Sequence, residues 1–188
     1  SGTLLMFDIY DFAYLAKIHS TKDIIFLLNR FYSTLDTLAK KYSMSYINSK
    51  SQVFTVISNI IVQSKNSLKN SAKMALDFLK IVKSTEMAPF DKNIGFSCAL
   101  NCGPLAAAVL HSEEDNIPSA YELIGCMECK TFTTLKNAKA LCRHKQKNTI
   151  LLGKPAAMEL IKNGSSRFFY IADATGQGSI LPPERKQK

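Results

Sequence analysis

An apolar run, Leu4-Leu5-Met6-Phe7, ends on the carboxylate of Asp8, and Ile9, Tyr10, a second carboxylate at Asp11 and Phe12 follow. Hard divalent cations require oxygen ligands of this kind, so an acid delivered to the mouth of a buried strand is a candidate metal ligand. On Asp8 alone, a strand-end cap or a surface acid fits equally well. Asp11 reads better as a solvated turn residue than as a spare ligand. Downstream, Tyr121-Glu122-Leu123-Ile124-Gly125 brings another acid, and Cys126-x-x-Cys129 follows at once. That CxxC has no second pair and no His at zinc spacing, which argues against a metal there. The five cysteines are odd in number, so a complete disulfide framework is impossible and a reducing compartment is the better expectation.

The elements that must position these groups follow from periodicity. Ile24, Leu27, Leu28, Phe31, Leu35 and Leu38 form a helical stripe over residues 23–41, and Leu68, Ala72, Ala75, Leu76, Leu79 and Val82 form a second. Between them, residues 45–49 and 53–58 read as a hairpin around Ser49-Lys50-Ser51. Ile94, Phe96, Cys98 and Leu100 alternate along a strand that meets the turn Asn101-Cys102-Gly103-Pro104, and residues 105–110 make a short apolar strand. A helix is expected over 127–142, a strand over 148–152, and a helix from Lys154-Pro155 to Gly164, with Pro in the first turn and Gly past the end. Residues 167–172 give a last strand. The order β-α-α-β-β-α-β-β-α-β-α-β, with the second early helix unassigned, suits an α/β sandwich.

With 188 residues and 46% hydrophobic content, the chain can bury about 70% of its unfolded surface as one domain, with a core over 3–180 and a frayed tail over 181–188. No run reaches the ~18 apolar residues of a membrane span. No signal peptide is visible. Ser1-Gly2 reads as an expression scar and the start without Met as a piece cut from a longer protein. An intracellular, cytoplasmic location is expected, including as the cytoplasmic part of a larger membrane protein. The net charge of +9 is carried by 20 Lys and only 4 Arg, scattered along the chain. Nucleic-acid binders lean on Arg for bidentate contacts and no RNA-binding signature appears, so a solvated Lys-rich surface is the better reading. The field still favours anionic ligands.

In order and spacing, the stretch from Leu4 to Phe12 and the stretch from Tyr121 to Gly125 resemble the catalytic domain of class III nucleotide cyclases, which make cyclic AMP or cyclic GMP from the triphosphate. The resemblance runs from Leu4 to about Gly178. It implies a ferredoxin-like core whose mixed or antiparallel sheet is covered by helices. It also implies that Asp8, with the carbonyl of Ile9, holds two Mg²⁺ or Mn²⁺ ions, which would bridge the triphosphate and activate the 3′-hydroxyl. Asp11 stands where the family commonly has Gly. The family's second metal Asp falls on Gln52, and residues 37–76 contain no Asp or Glu. A neutral oxygen does not replace an anionic bridge, so the metal site is expected to be incomplete.

The purine-reading positions hold Asn48 and Glu122. Asn discriminates poorly, while the Glu122 carboxylate leans toward adenine or is an exposed loop acid. The transition-state Asn and Arg positions, counted from Gly125, hold Cys129 and Thr133. The lysine-bearing turn reads Thr175-Gly176-Gln177-Gly178, without Lys. Such cationic groups supply much of phosphoryl-transfer catalysis, so the scaffold reads as retained and the chemistry as eroded. Family members work as dimers with composite sites. The expectation is a pseudocyclase domain: a dimerising, nucleotide-holding regulatory half, paired with another cyclase-like domain as a heterodimer or a weak homodimer, with ATP or GTP as ligand. The alternatives are a working cyclase half completed by Asp11 or by a partner group, a basic nucleic-acid-binding domain, and a generic interaction module.

Overall fold

The computed structural model describes residues 2–50, 53–60, 64–83, 94–111, 118–145, 148–164, 169–171 and 178–180. Strand β1 (Gly2–Ile9) leads into a short helix α1 (Phe12–Ile18) and a long one, α2 (Thr21–Lys41). The hairpin β2 (Ser45–Lys50) and β3 (Val53–Ser58) follows, then α3 (Ser67–Lys83), β4 (Phe96–Gly103), and the pair β5 (Ala106–His111) and β6 (Pro118–Ile124). The chain ends with α4 (Cys126–Lys145), β7 (Thr149–Leu152), α5 (Lys154–Lys162), β8 (Phe169–Ile171) and β9 (Gly178–Ile180).

Seven strands form one sheet in the order β2-β3-β1-β4-β7-β9-β8, and β5-β6 form a separate ribbon. β1 lies antiparallel to both β3 and β4, and β4 runs parallel to β7. Because β2 is antiparallel to β3, it runs parallel to β1. Both early crossovers, β1 to β2 and β3 to β4, therefore return parallel with one strand between them. This is the split, ferredoxin-like arrangement, with helices covering a mixed sheet.

The two faces of β1 sort by alternation. Leu5, Phe7 and Ile9 pack with α2, α3 and α5, while Leu4 and Met6 pack with Ile57, Ala99, Met127 and Leu135. Asp8 shares the parity of Leu4 and Met6, and so lies on the side covered by α4. Two helix starts are written locally. Ser20 caps α2, its hydroxyl donating to Asp23 at 2.6 Å and accepting from the Asp23 amide at 3.2 Å. Pro155 occupies the first turn of α5, as expected.

The structure differs from the sequence reading in four places. The second early helix is α1. The supposed turn at Asn101-Cys102-Gly103 is the continuation of β4, whose end pairs with Gly2 of β1. β6 was not foreseen, because no strand is read between residue 110 and the helix expected from 127, and Glu122 fits an exposed loop acid as well as a base contact. β9 occupies the end of the stretch read as a lysine-type turn.

Asp77 of α3 ties α3 to the end of α2. It accepts from Lys41 at 2.8 Å, Tyr42 at 2.5 Å and Lys80 at 3.0 Å. Its partial burial would raise its pKa, but the three donors together hold the carboxyl well below the usual carboxylate range. Such a group stabilises the fold fully above the unfolded carboxyl pKa of about 3.9, and that contribution is lost as pH falls from there. Asp77→Asn should cost about 1 kcal/mol at neutral pH. Thermal unfolding from pH 7 to pH 3 should show the gap to wild type closing on the acid side. A gap that widens there would contradict the assignment.

Candidate functional site

Asp8 ends β1 at 2% exposure, opposite Val53 of β3 and Ser97 of β4. Its Oδ2 accepts from Lys139 Nζ at 2.8 Å, and its Oδ1 has no hydrogen-bond partner among the described residues. Burial pushes the Asp8 carboxyl up, and the Lys139 ammonium and the Ile9 amide pull it back only in part. Ile9 is fully buried and pairs with Phe96.

Lys139 was missed by the sequence reading, yet a signal for it existed. Met127, Thr131, Thr134, Leu135, Ala138 and Cys142 form the buried stripe of α4. Lys139 stands one turn after Leu135 and one turn before Cys142, so its stem starts from the inward flank of the helix. Two threonines of the stripe satisfy their hydroxyls locally. Thr131 donates to the Met127 carbonyl at 2.7 Å and Thr134 to that of Lys130 at 2.9 Å. Asn101 of β4 donates its amide to Thr134 Oγ1 at 3.1 Å, which fixes α4 over the sheet. Gly153 serves the same arrangement, because a Cβ there would fall 1.4 Å from Asn101 Oδ1.

The other expected positions are dispersed. Cys129 and Thr133 are both exposed on α4, on one face, with the Thr133 hydroxyl donating to the Cys129 carbonyl at 2.9 Å. Asn48 lies in β2 opposite Thr55, and Glu122 lies in β6 opposite Ala108. Gln52, Thr175 and Gln177 lie outside the described residues. Lys50 pairs with Val53, and Val53 with Asp8, so the backbone brings the end of β1 beside the strand ends that flank residues 51–52. Asp11 is exposed with φ 52° and ψ 38° just before α1. A left-handed backbone is the reason Gly suits that position, and it makes Asp11 a turn residue. All five cysteines are free, with Cys126 and Cys129 exposed.

Among the described residues, the donors around Asp8 do not make a set for a pair of divalent ions. The one acid at the strand end is already bonded to an ammonium, and Val53 and Ser97 flank it on either side. Among the described residues no three His, Cys, Asp or Glu side chains gather into a metal-holding group.

The family profile described as the adenylate and guanylate cyclase catalytic domain matches residues 2–116, more than half of the chain. The chain belongs to that family. No curated protein sequence matches it. Among solved structures, the cyclase chain is similar to a monomeric double mutant of the guanylyl cyclase domain of the RhoGC fusion protein from the aquatic fungus Blastocladiella emersonii, at 18% identity and a TM-score of 0.78. That likeness covers 97% of this chain and 95% of the other. A dimeric form of the same fungal domain scores 0.75 at 17% identity, with 97% of each chain covered. The guanylate cyclase domain of RhGC from Catenaria anguillulae, in complex with GTP, scores 0.76 at 16% identity, again with 97% of each chain covered. At these identities the likeness establishes the cyclase fold. Among the described residues of this cyclase-family chain no helix is long and apolar enough to cross a membrane.

Proposed function

We propose that this domain is a catalytically degenerate member of the cyclase family, a dimerising and nucleotide-holding regulatory half of a larger assembly. The observation that carries this reading is the Asp8–Lys139 pair. The family's remaining metal acid is sealed in the fold and neutralised from within. The Cys129–Thr133 face of α4 is exposed, which supports a partner-facing role. The partner that fits is another cyclase-like domain carrying the complementary groups, with ATP or GTP, through Asn48 and Glu122, as the shared ligand. A likeness to a domain that exists in both monomeric and dimeric forms is consistent with weak self-association.

The test is direct. The isolated domain, given ATP or GTP with magnesium or manganese, should form no cyclic nucleotide. Each tenfold in rate is about 1.4 kcal/mol, and a missing Asp, Asn, Arg and Lys each remove roughly 2–4 kcal/mol of electrostatic stabilisation. Product that disappears in Asp8→Ala would overturn the proposal and favour a working half completed by Asp11 or by a partner group. The dimerising role is tested by sedimentation of the domain mixed with a cyclase-like companion. Association that Val109→Asp in β5 leaves untouched would remove that role.

A further inference from the structure

The Asp8–Lys139 contact is asymmetric in a way that ordinary surface ion pairs are not. The Asp8 side chain is 3% exposed, while that of Lys139 is 34% exposed. The carboxylate is closed off by the sheet, and the lysine reaches it along its methylene stem from the rim of α4. One carboxylate oxygen is bonded to Lys139, and the other has no hydrogen-bond partner among the described residues. One compact ammonium meets this geometry, because it brings a full charge and asks for no further ligand. A divalent ion does not. With the lysine in place, the ion's two positive charges would stand against the ammonium on the same carboxylate.

We infer that Lys139 is a built-in substitute for the divalent cation. Its ammonium neutralises Asp8 from within the chain and holds this site free of magnesium and manganese. The inference rests on reading Asp8 as the family's metal position, but it stands apart from the loss of catalysis, since loss of activity and loss of metal binding are separate properties. The residue that closes the site comes from α4, the helix that also carries Cys129 and Thr133. The exchange of a metal for a lysine is therefore made within one subunit and needs no partner.

The probe is Mn²⁺, titrated against the whole chain and followed by the free-ion electron paramagnetic resonance signal and by the unfolding temperature. Wild type and Asp8→Asn should bind equal amounts of Mn²⁺ up to millimolar concentrations. Lys139→Met should gain Mn²⁺ affinity at least tenfold over wild type, its unfolding temperature should rise with added Mn²⁺, and both effects should vanish in the Asp8→Asn/Lys139→Met double variant. Lys139→Arg, which keeps the cation, should match wild type. Wild-type Mn²⁺ binding that falls tenfold in Asp8→Asn overturns the inference, as does a folded Lys139→Met with no gain. If Lys139→Met does not fold, the comparison of wild type with Asp8→Asn decides alone. Cyclic-nucleotide formation bears on the proposed function and leaves this measurement unaffected.

Discussion

Lys139→Met should lower the stability of the domain by about 3 kcal/mol, whereas Asp8→Asn should change it by no more than about 1 kcal/mol in either direction. The difference follows from which charge can escape. Removing the lysine leaves a carboxylate in the interior with no counter-charge, and breaking a buried pair from one side typically costs 3–5 kcal/mol. The lower end applies because Asp8 can relieve part of the strain by taking up a proton. Removing the acid instead leaves an ammonium that is one-third exposed and can turn to water. It also removes the desolvation that pushes the Asp8 carboxyl up. The double variant should be more stable than Lys139→Met alone, giving a coupling of about 2 kcal/mol in a double-mutant cycle. Urea unfolding of the four proteins measures it. Equal losses from the two single substitutions would show that the pair is a solvent-screened contact after all.

A second large loss is expected from Phe31→Ala, about 3–5 kcal/mol. Phe31 is fully buried at the middle of α2. Its ring centroid lies 5.6 Å from Phe78 of α3, 5.7 Å from Phe96 of β4 and 6.0 Å from Phe54 of β3. Phe78 in turn meets Phe7 of β1 at 4.9 Å. One ring therefore joins two helices to two strands, with a third strand reached through Phe78, and the void it leaves is walled by other rings that cannot collapse into it. Phe31→Leu should cost less than half as much. The α4 side of the sheet has its own cluster around Leu4, Met6, Ala99 and Leu135. The variant should then keep its secondary structure by circular dichroism while its urea midpoint falls. A midpoint within error of wild type would mean that the aromatic cluster is not packed as described.

The aromatic side of the fold was legible in the sequence because its signals are local. The stripe from Ile24 to Leu38 repeats at helical spacing, and Phe96, Cys98 and Leu100 alternate as a half-buried strand must. α4 was legible as a helix, but its buried face was not, because Thr131, Thr134 and Cys142 stand where apolar residues would announce it. β6 and β9 escaped because each owes its existence to a partner strand, β5 or β7, more than to its own composition. The same division runs through the candidate site. Asp8 could be placed at a strand mouth from five neighbouring residues. Its counter-ion could not, since Lys139 is one of 20 lysines and only the folded sheet selects it. Asp11 illustrates the reverse case, in which a departure from the family's Gly is explained by a left-handed backbone and needs no chemistry.

The central position of β1 has a consequence for how the protein is made. Of the strands of this sheet it is made before the rest, and its two neighbours, β3 and β4, begin only at Val53 and Phe96. The cation that neutralises its last carboxylate arrives 131 residues after it. At roughly 5–20 residues per second, β1 waits several seconds for a complete environment. Until α4 has emerged, any attempt to close the sheet would bury Asp8 unneutralised. The counter-ion of Asp8 is therefore made after both strands that flank it. A fragment that stopped at the end of β6 would hold nearly all of the sheet's N-terminal half and still lack the charge that lets it settle.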